Sequence, residues 1–175
     1  MSRKLMAELE CGKFGSPLKQ FHRDAMLDLI LVWGTLDGAL TMLVAAFTGE
    51  PLHEAADRIG KTNGSNKIVE VANIIKNYDD GMAHVKNFRK WKKKYEKYSV
   101  PRNRIAHAHC VGYLESDDQY IVFAVAEHEG GGNMAIEAIP VEEMKQATQY
   151  GEMLAAFAVN IVERIEAARS RDFRK

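Results

Sequence analysis

Leu29 to Phe47 constrains the fold of this chain more than any other stretch. It runs nineteen residues with one charged side chain, Asp37, nearly the length that crosses a hydrocarbon core. A central aspartate costs about 3 kcal/mol on insertion scales, and Trp33, Gly34, Thr35, Gly38 and Thr41 do little to offset it. Asp24 and Asp28 precede it on a similar helix face, as a water-facing or ion-paired stripe requires. No second segment of comparable hydrophobicity pairs with it. The stretch therefore reads as the buried central helix of a bundle in a soluble chain.

Its surroundings set the remaining boundaries. The first sixteen residues read as an arm, with Ser16 as N-cap and Pro17 at the first helical position. The helix then spans about Leu18 to Phe47 and breaks at Gly49-Glu50-Pro51. It is apolar around most of its circumference, so several partners should cover it, and Gly34 and Gly38 should let a neighbouring helix approach closely. A short helix over about Leu52 to Arg58 ends at Gly60, and Ser65 can cap a third with Ile68, Val71, Ile74 and Ile75 on its apolar face. Asp79-Asp80-Gly81 is the next break.

A fourth helix runs from about Met82 to Tyr98, with Val85, Phe88, Trp91, Tyr95 and Tyr98 at the spacing of a buried face. Pro101 should end or kink it, leaving a short helical stretch from about Arg102 to His109. The period then changes. Tyr113–Glu115, Gln119–Glu127 and Met134–Ile139 read as three strands separated by Ser116-Asp117-Asp118 and Gly130-Gly131-Gly132-Asn133. Pro140 opens a last helix, Val141 to Ala168, with Met144, Ala147, Met153, Leu154, Phe157, Ile161 and Ile165 inward. The expected organisation is an N-terminal arm (1–16) and a single, mainly α helical-bundle domain (17–175), with an antiparallel β-meander at about 112–139 inserted before the last helix. At 175 residues such a core needs no staples. Cys11 and Cys110 make no disulfide framework, and no apolar signal core opens the chain, so a reducing cytoplasmic address is expected.

The net charge is zero, but its distribution is uneven. Residues 86–104 hold nine Lys/Arg against Glu96 alone, a local +8 that leaves −8 for the rest. Such an excess is an electrostatic footprint for a polyanion. At its end stands Arg102-Asn103-Arg104-Ile105-Ala106-His107, which resembles the R-x4-H motif of the HEPN superfamily in the form with a polar residue after the arginine. A long first helix with a central tryptophan, Trp33, and a capped Ser65…Lys67-Ile68 helix extend the resemblance over most of the chain as a pattern. Only the six motif residues are specific.

The resemblance implies a HEPN-like up-and-down helical bundle that forms a homodimer, bringing two motifs to one cleft. It implies a metal-independent endoribonuclease without cofactor, of the kind found among toxins and defence effectors, with an antitoxin or regulatory protein as a possible partner. The implied catalytic residues are Arg102, Asn103 and His107. Some members carry a tyrosine two residues after the histidine, which a partner nucleotidyltransferase modifies. His109 stands there in this chain, which disfavours that role.

The chemistry is coherent by itself. RNA supplies its own nucleophile, so the protein need only move protons and stabilise charge on phosphorus. An imidazole can take the 2′-hydroxyl proton or protonate the leaving 5′-oxygen. A forked, permanently charged guanidinium fits the non-bridging oxygens. Asn103, four residues before His107, shares its helix face and could orient the ring. Arg102, five residues before, stands about 140° away on a regular helix, so the pair meets best if the backbone distorts near Pro101 or a second subunit supplies one member. Lys90, Lys93, Lys94, Lys97 and Arg104 are the candidate RNA-backbone contacts. The alternatives are a non-catalytic dimerisation or interaction module and a catalytically silent RNA-binding domain. The spacing of His107, His109 and Cys110 matches no structural zinc site.

Overall fold

The computed structural model describes residues 9, 12–78, 81–126 and 134–172. It is mainly helical, with five helices and one four-stranded antiparallel sheet. The helices are α1 (Gln20–Thr48), α2 (Leu52–Ile59), α3 (Gly64–Ile75), α4 (Gly81–His107) and α5 (Val141–Asp172). The strands are β1 (Phe14–Gly15), β2 (His109–Leu114), β3 (Asp117–Ala126) and β4 (Met134–Pro140). The chain divides into two compact units, one of residues up to Leu31 with Ser99–Gln149, the other of Val32–Tyr98 with Tyr150 onward.

The first unit holds the sheet, in the order β1-β2-β3-β4. The expected three-stranded meander thus gains a fourth strand from the arm, with Phe14 opposite Leu114 and Gly15 opposite Tyr113. Two glycines permit that pairing. A Cβ on Gly112 would stand 2.3 Å from the Gly15 carbonyl oxygen, at a φ of +147° that side chains rarely adopt, and one on Gly15 would strike the Tyr113 ring. Strand β2 also begins earlier than expected, at His109. Ile121, Val122 and Phe123, consecutive on β3, are all 0% exposed, so this strand is enclosed on both faces and carries the unit's core. Gly130-Gly131-Gly132-Asn133 and Glu127 lie outside the described residues.

The start of α1 differs from expectation. The Ser16–Pro17 peptide is cis, and the helix begins at Gln20, so neither residue caps it. The fully buried His22 does so instead. Its Nδ1 accepts the Lys19 backbone N–H at 3.2 Å, a reach-back of the kind a third helical residue makes. That assigns the ring proton to Nε2, which donates to the Asp118 carbonyl at 2.6 Å. Lys19 Nζ also meets Asp118 Oδ2 at 2.6 Å. The pairing holds the ammonium pKa above and the carboxyl pKa below their ordinary values.

The second unit is helical. Leu36, Leu40, Leu43 and Val44 of α1 are buried, as are Ile68, Val71 and Ile75 of α3, Val85 and Phe88 of α4, and Leu154, Ala158 and Val162 of α5. Asn63, rather than Ser65, caps α3: its side chain accepts the Asn66 N–H at 2.9 Å, while the Ser65 hydroxyl donates to it. Asp79 and Asp80 lie outside the described residues. On the part of α5 in this unit the inward stripe is Tyr150, Leu154, Ala158 and Val162. Met153 and Phe157, one step off this row, are 58% and 44% exposed.

The glycines of α1 also correct the sequence reading. Gly34 and Gly38 are exposed, and a Cβ on either would meet nothing within 4 Å. The close approach occurs at Gly151 of α5, where a Cβ would stand 2.8 Å from Val32 Cγ1. Helix α1 is therefore not covered all round, since Met42 is 37% exposed as well. Among the described residues α1 is the one helix long and apolar enough to cross a membrane, with just over half of its apolar window buried.

Asp37, the lone charge of the apolar stretch, is ion-paired. Lys67 of α3, 0% exposed, places Nζ 2.8 Å from Asp37 Oδ1 and 3.0 Å from Thr41 Oγ1. A cation buried this deeply requires a carboxylate and further acceptors to replace its water.

Candidate functional site

Helix α4 does not break at Pro101. It continues to His107 with the proline inside it, so the expected short stretch from Arg102 to His109 is instead the last two turns of one long helix. Proline removes a single donor here, the one due to the Lys97 carbonyl four residues earlier. Lys97 is exposed, so water can serve that carbonyl, and the proline ring itself is buried. The Ala108 N–H closes the final turn on the Arg104 carbonyl at 2.9 Å, and the chain passes directly into β2.

This end of α4 presents the motif side chains. Arg102 is half-buried and its Nη1 donates to Asn103 Oδ1 at 3.2 Å. Asn103 and His107 are exposed. Four residues apart on a continuous helix, they share a face. Among the described residues the His107 imidazole has no hydrogen-bond partner, and Arg102 makes no ion pair. Arg102 and His107 both lie on the helical stretch after Pro101, where regular spacing sets positions five residues apart about 140° from each other around the axis.

Arg104 has a different fate. Its Nε meets Glu137 Oε2 at 2.6 Å and its Nη2 meets Oε1 at 3.0 Å, a bidentate fork. Of the expected phosphate contacts, this one is already matched by a carboxylate of β4. Glu137 was missed by the sequence reading, and no motif could have found it. The only signal is a lone acid in the alternating Met134-Ala135-Ile136-Glu137-Ala138-Ile139, on the face opposite Ile136.

Lys90, Lys93 and Lys94 are exposed without an ion pair among the described residues, and Lys97 Nζ lies 5.3 Å from the Tyr98 ring centroid. Their spacing of three, four and seven residues puts the four ammonium groups on one side of α4. The aromatic residues of that helix turn the other way. Trp91 meets Phe88 and Phe157 edge-on at 4.6 and 4.5 Å, Tyr95 packs on Trp33, and Tyr98 stacks on Tyr150 at 4.7 Å. They are packing residues with no ring presented as a stacking platform. Tyr150 donates its hydroxyl to the Trp91 carbonyl at 3.2 Å, and burial, with Tyr98 and Tyr95 adding to it, pushes its pKa up to about 12.

Among the described residues no group of three or more His, Cys, Asp or Glu is placed to hold a metal ion. Cys110 is half-buried, and loss of hydration pushes its thiol pKa up, against a smaller opposite pull from the Gly112 backbone. This thiol is therefore less easily ionised than a free one. No protein-family model, no curated protein and no solved structure matches the chain.

Proposed function

We propose that the chain is a HEPN-like, metal-independent endoribonuclease acting as a cytoplasmic homodimer. One observation carries this reading: at the end of α4 the Arg102–Asn103 contact and the unpartnered His107 imidazole face solvent, in the order the R-x4-H motif requires. A histidine held only for stability would be expected to spend its ring nitrogens on neighbours, as His22 does.

In the proposed reaction a base takes the 2′-hydroxyl proton, O2′ attacks phosphorus, and the P–O5′ bond breaks as O5′ receives a proton. The products are a 2′,3′-cyclic phosphate and a 5′-hydroxyl end. His107 moves one of the two protons, Arg102 binds the non-bridging oxygens and Asn103 orients the ring or the phosphate. The divergence of Arg102 and His107 around α4 is the reason for the dimer, in which one copy's arginine faces the partner subunit's His107. Lys90, Lys93, Lys94 and Lys97 supply the salt-dependent attraction to the RNA backbone. A toxin or defence role, with an antitoxin or regulatory partner, belongs to the same proposal.

The test is cleavage of a single-stranded RNA in EDTA by wild type, His107→Ala and Arg102→Ala. The expected result is cyclic-phosphate product from wild type, reduced about 10²–10⁴-fold in the histidine variant. Intact RNA with wild type, or equal cutting by both variants, removes the enzyme. A second reading is favoured by the Arg104–Glu137 fork and the divergent motif pair: a catalytically silent RNA-binding domain, which would bind RNA in a salt-dependent way without product.

A further inference from the structure

A cleft between α3 and α4, within the helical unit, joins an aliphatic floor to a cationic rim. Its volume is about 390 Å³, inside the range of small-molecule sites. The floor is aliphatic. Ile68 and Ala72 come from α3 and Val85 from α4, each nearly inaccessible to solvent, with Met82 exposed at the mouth. Three cations line the same cleft: Lys76, Arg89 and Lys92.

Helical spacing produces this pairing of floor and rim. On α3, Ile68, Ala72 and Lys76 stand four apart. On α4, Val85, Arg89 and Lys92 follow at four and three. Each helix face therefore passes from apolar residues to a cation. Lys92 shares its charge with Glu96, one turn on, whereas Lys76 and Arg89 are exposed and make no ion pair among the described residues. Among the described residues no carboxylate lines the cleft.

We propose that this cleft binds an anionic amphiphile, an aliphatic chain ending in a phosphate or a comparable anion. Among the described residues the floor has no carbonyl- or hydroxyl-bearing side chain, and Asn73 is the one uncharged polar side chain in the lining. Phe88 turns its ring edge-on to Trp91 instead of offering a flat face. Such a lining reads neither the edge nor the face of a nucleobase, but it removes methylene groups from water. More than one cation at the rim suits a phosphate head better than a singly charged carboxylate. Lys76, Arg89 and Lys92 are not among the expected RNA-backbone contacts, and the proposal does not rest on ribonuclease activity.

The experiment is calorimetric titration of the full chain with alkyl phosphates from hexyl to decyl, below their micelle concentrations. Inorganic phosphate and decyltrimethylammonium serve as controls. Binding should tighten about threefold or more for each added methylene until the cleft is full. Lys76→Glu with Arg89→Glu, both at exposed positions, should weaken decyl phosphate at least about tenfold, while Arg164→Glu, outside the cleft, leaves it unchanged. Retained binding in phosphatidic-acid vesicles, lost in the same double variant, would assign the ligand to a bilayer lipid, and binding confined to the monomer would assign it to a free amphiphile. Affinity independent of chain length, equal affinity for decyltrimethylammonium, or insensitivity to the double variant overturns the proposal.

Discussion

Two groups of charged residues in this chain look alike in the sequence and differ in the fold. Lys67 and Asp37 form the first. The lysine is 0% exposed and its ammonium group is matched by a carboxylate, a hydroxyl and a backbone carbonyl. Arg102, Asn103 and His107 form the second, which lies at the surface with a single internal hydrogen bond at 3.2 Å. The first group is closed, because every acceptor belongs to the fold. The second leaves a guanidinium and an imidazole with capacity to spare. A charge that the structure has fully matched reports on stability. One that it has left open is matched by solvent and stays available to a ligand.

Removing Asp37 should break this contrast most visibly. Asp37→Ala leaves the Lys67 cation in the interior with only Thr41 and a carbonyl, and is expected to destabilise the chain by about 3–5 kcal/mol. Lys67→Met should cost far less. It keeps most of the side-chain volume, and the Asp37 carboxylate left behind is 44% exposed and can be hydrated. Urea melts of the two variants give the order. Equal losses would mean that the pair is no more than an ordinary surface contact.

Tyr150 extends the comparison to a neutral group. Burial disfavours its charged form, and its pKa is pushed up to about 12. The folded-state value is thus raised above the unfolded one near 10. The stability this contributes is fully present below pH 10 and disappears as pH rises from 10 through about 12. Absorbance at 295 nm should show one tyrosine titrating late. Tyr150→Phe should remove that phase and, with the Trp91 hydrogen bond gone, cost about 1 kcal/mol.

The two groups were not equally legible in the sequence. The apolar run from Leu29, the inward row of α4 and the last helix follow from periodicity, because burial at 3.6-residue spacing is a local pattern. Lys67 was invisible as a core residue, since nothing in a lone lysine tells that an aspartate thirty residues earlier will enclose it. Gly34 and Gly38 suggested a close helix contact that Gly151 makes instead. The spacing of glycines shows where an approach is possible, and only packing decides where it happens. Pro101 suggests a helix end that does not occur, because one missing donor does not by itself stop a helix. The candidate site was readable as a motif, while its geometry was not. Glu137, thirty-three residues from Arg104, comes to it only through the sheet.

Arg104 lies between the two extremes. Its side chain is 30% exposed and that of Glu137 is 40% exposed, so water screens much of the attraction and the pair is expected to contribute no more than about 1 kcal/mol. A double-mutant cycle of Arg104→Ala and Glu137→Ala measures it. If the fork also withholds Arg104 from RNA, Glu137→Ala should strengthen RNA binding at low salt. A loss of binding instead would show that the fork positions the end of α4.

The smallest effect on stability should come from the residue to which the proposed reaction gives the proton transfer. His107 is exposed at the last position of α4 and bonded to nothing among the described residues, so His107→Ala should change the unfolding free energy by no more than about 0.5 kcal/mol. In the same variant the proposed RNA cleavage is expected to fall about 10²–10⁴-fold. It is the pairing of these two results that carries meaning, because a histidine retained for packing would lose stability first and activity only as a consequence. His22→Ala supplies the opposite case, as it removes the reach-back to Lys19 and the bond to Asp118 from the interior and should destabilise by about 1–3 kcal/mol. If His107→Ala proves as destabilising as His22→Ala, the imidazole at the end of α4 belongs with the closed charges, and the contrast between the two groups collapses.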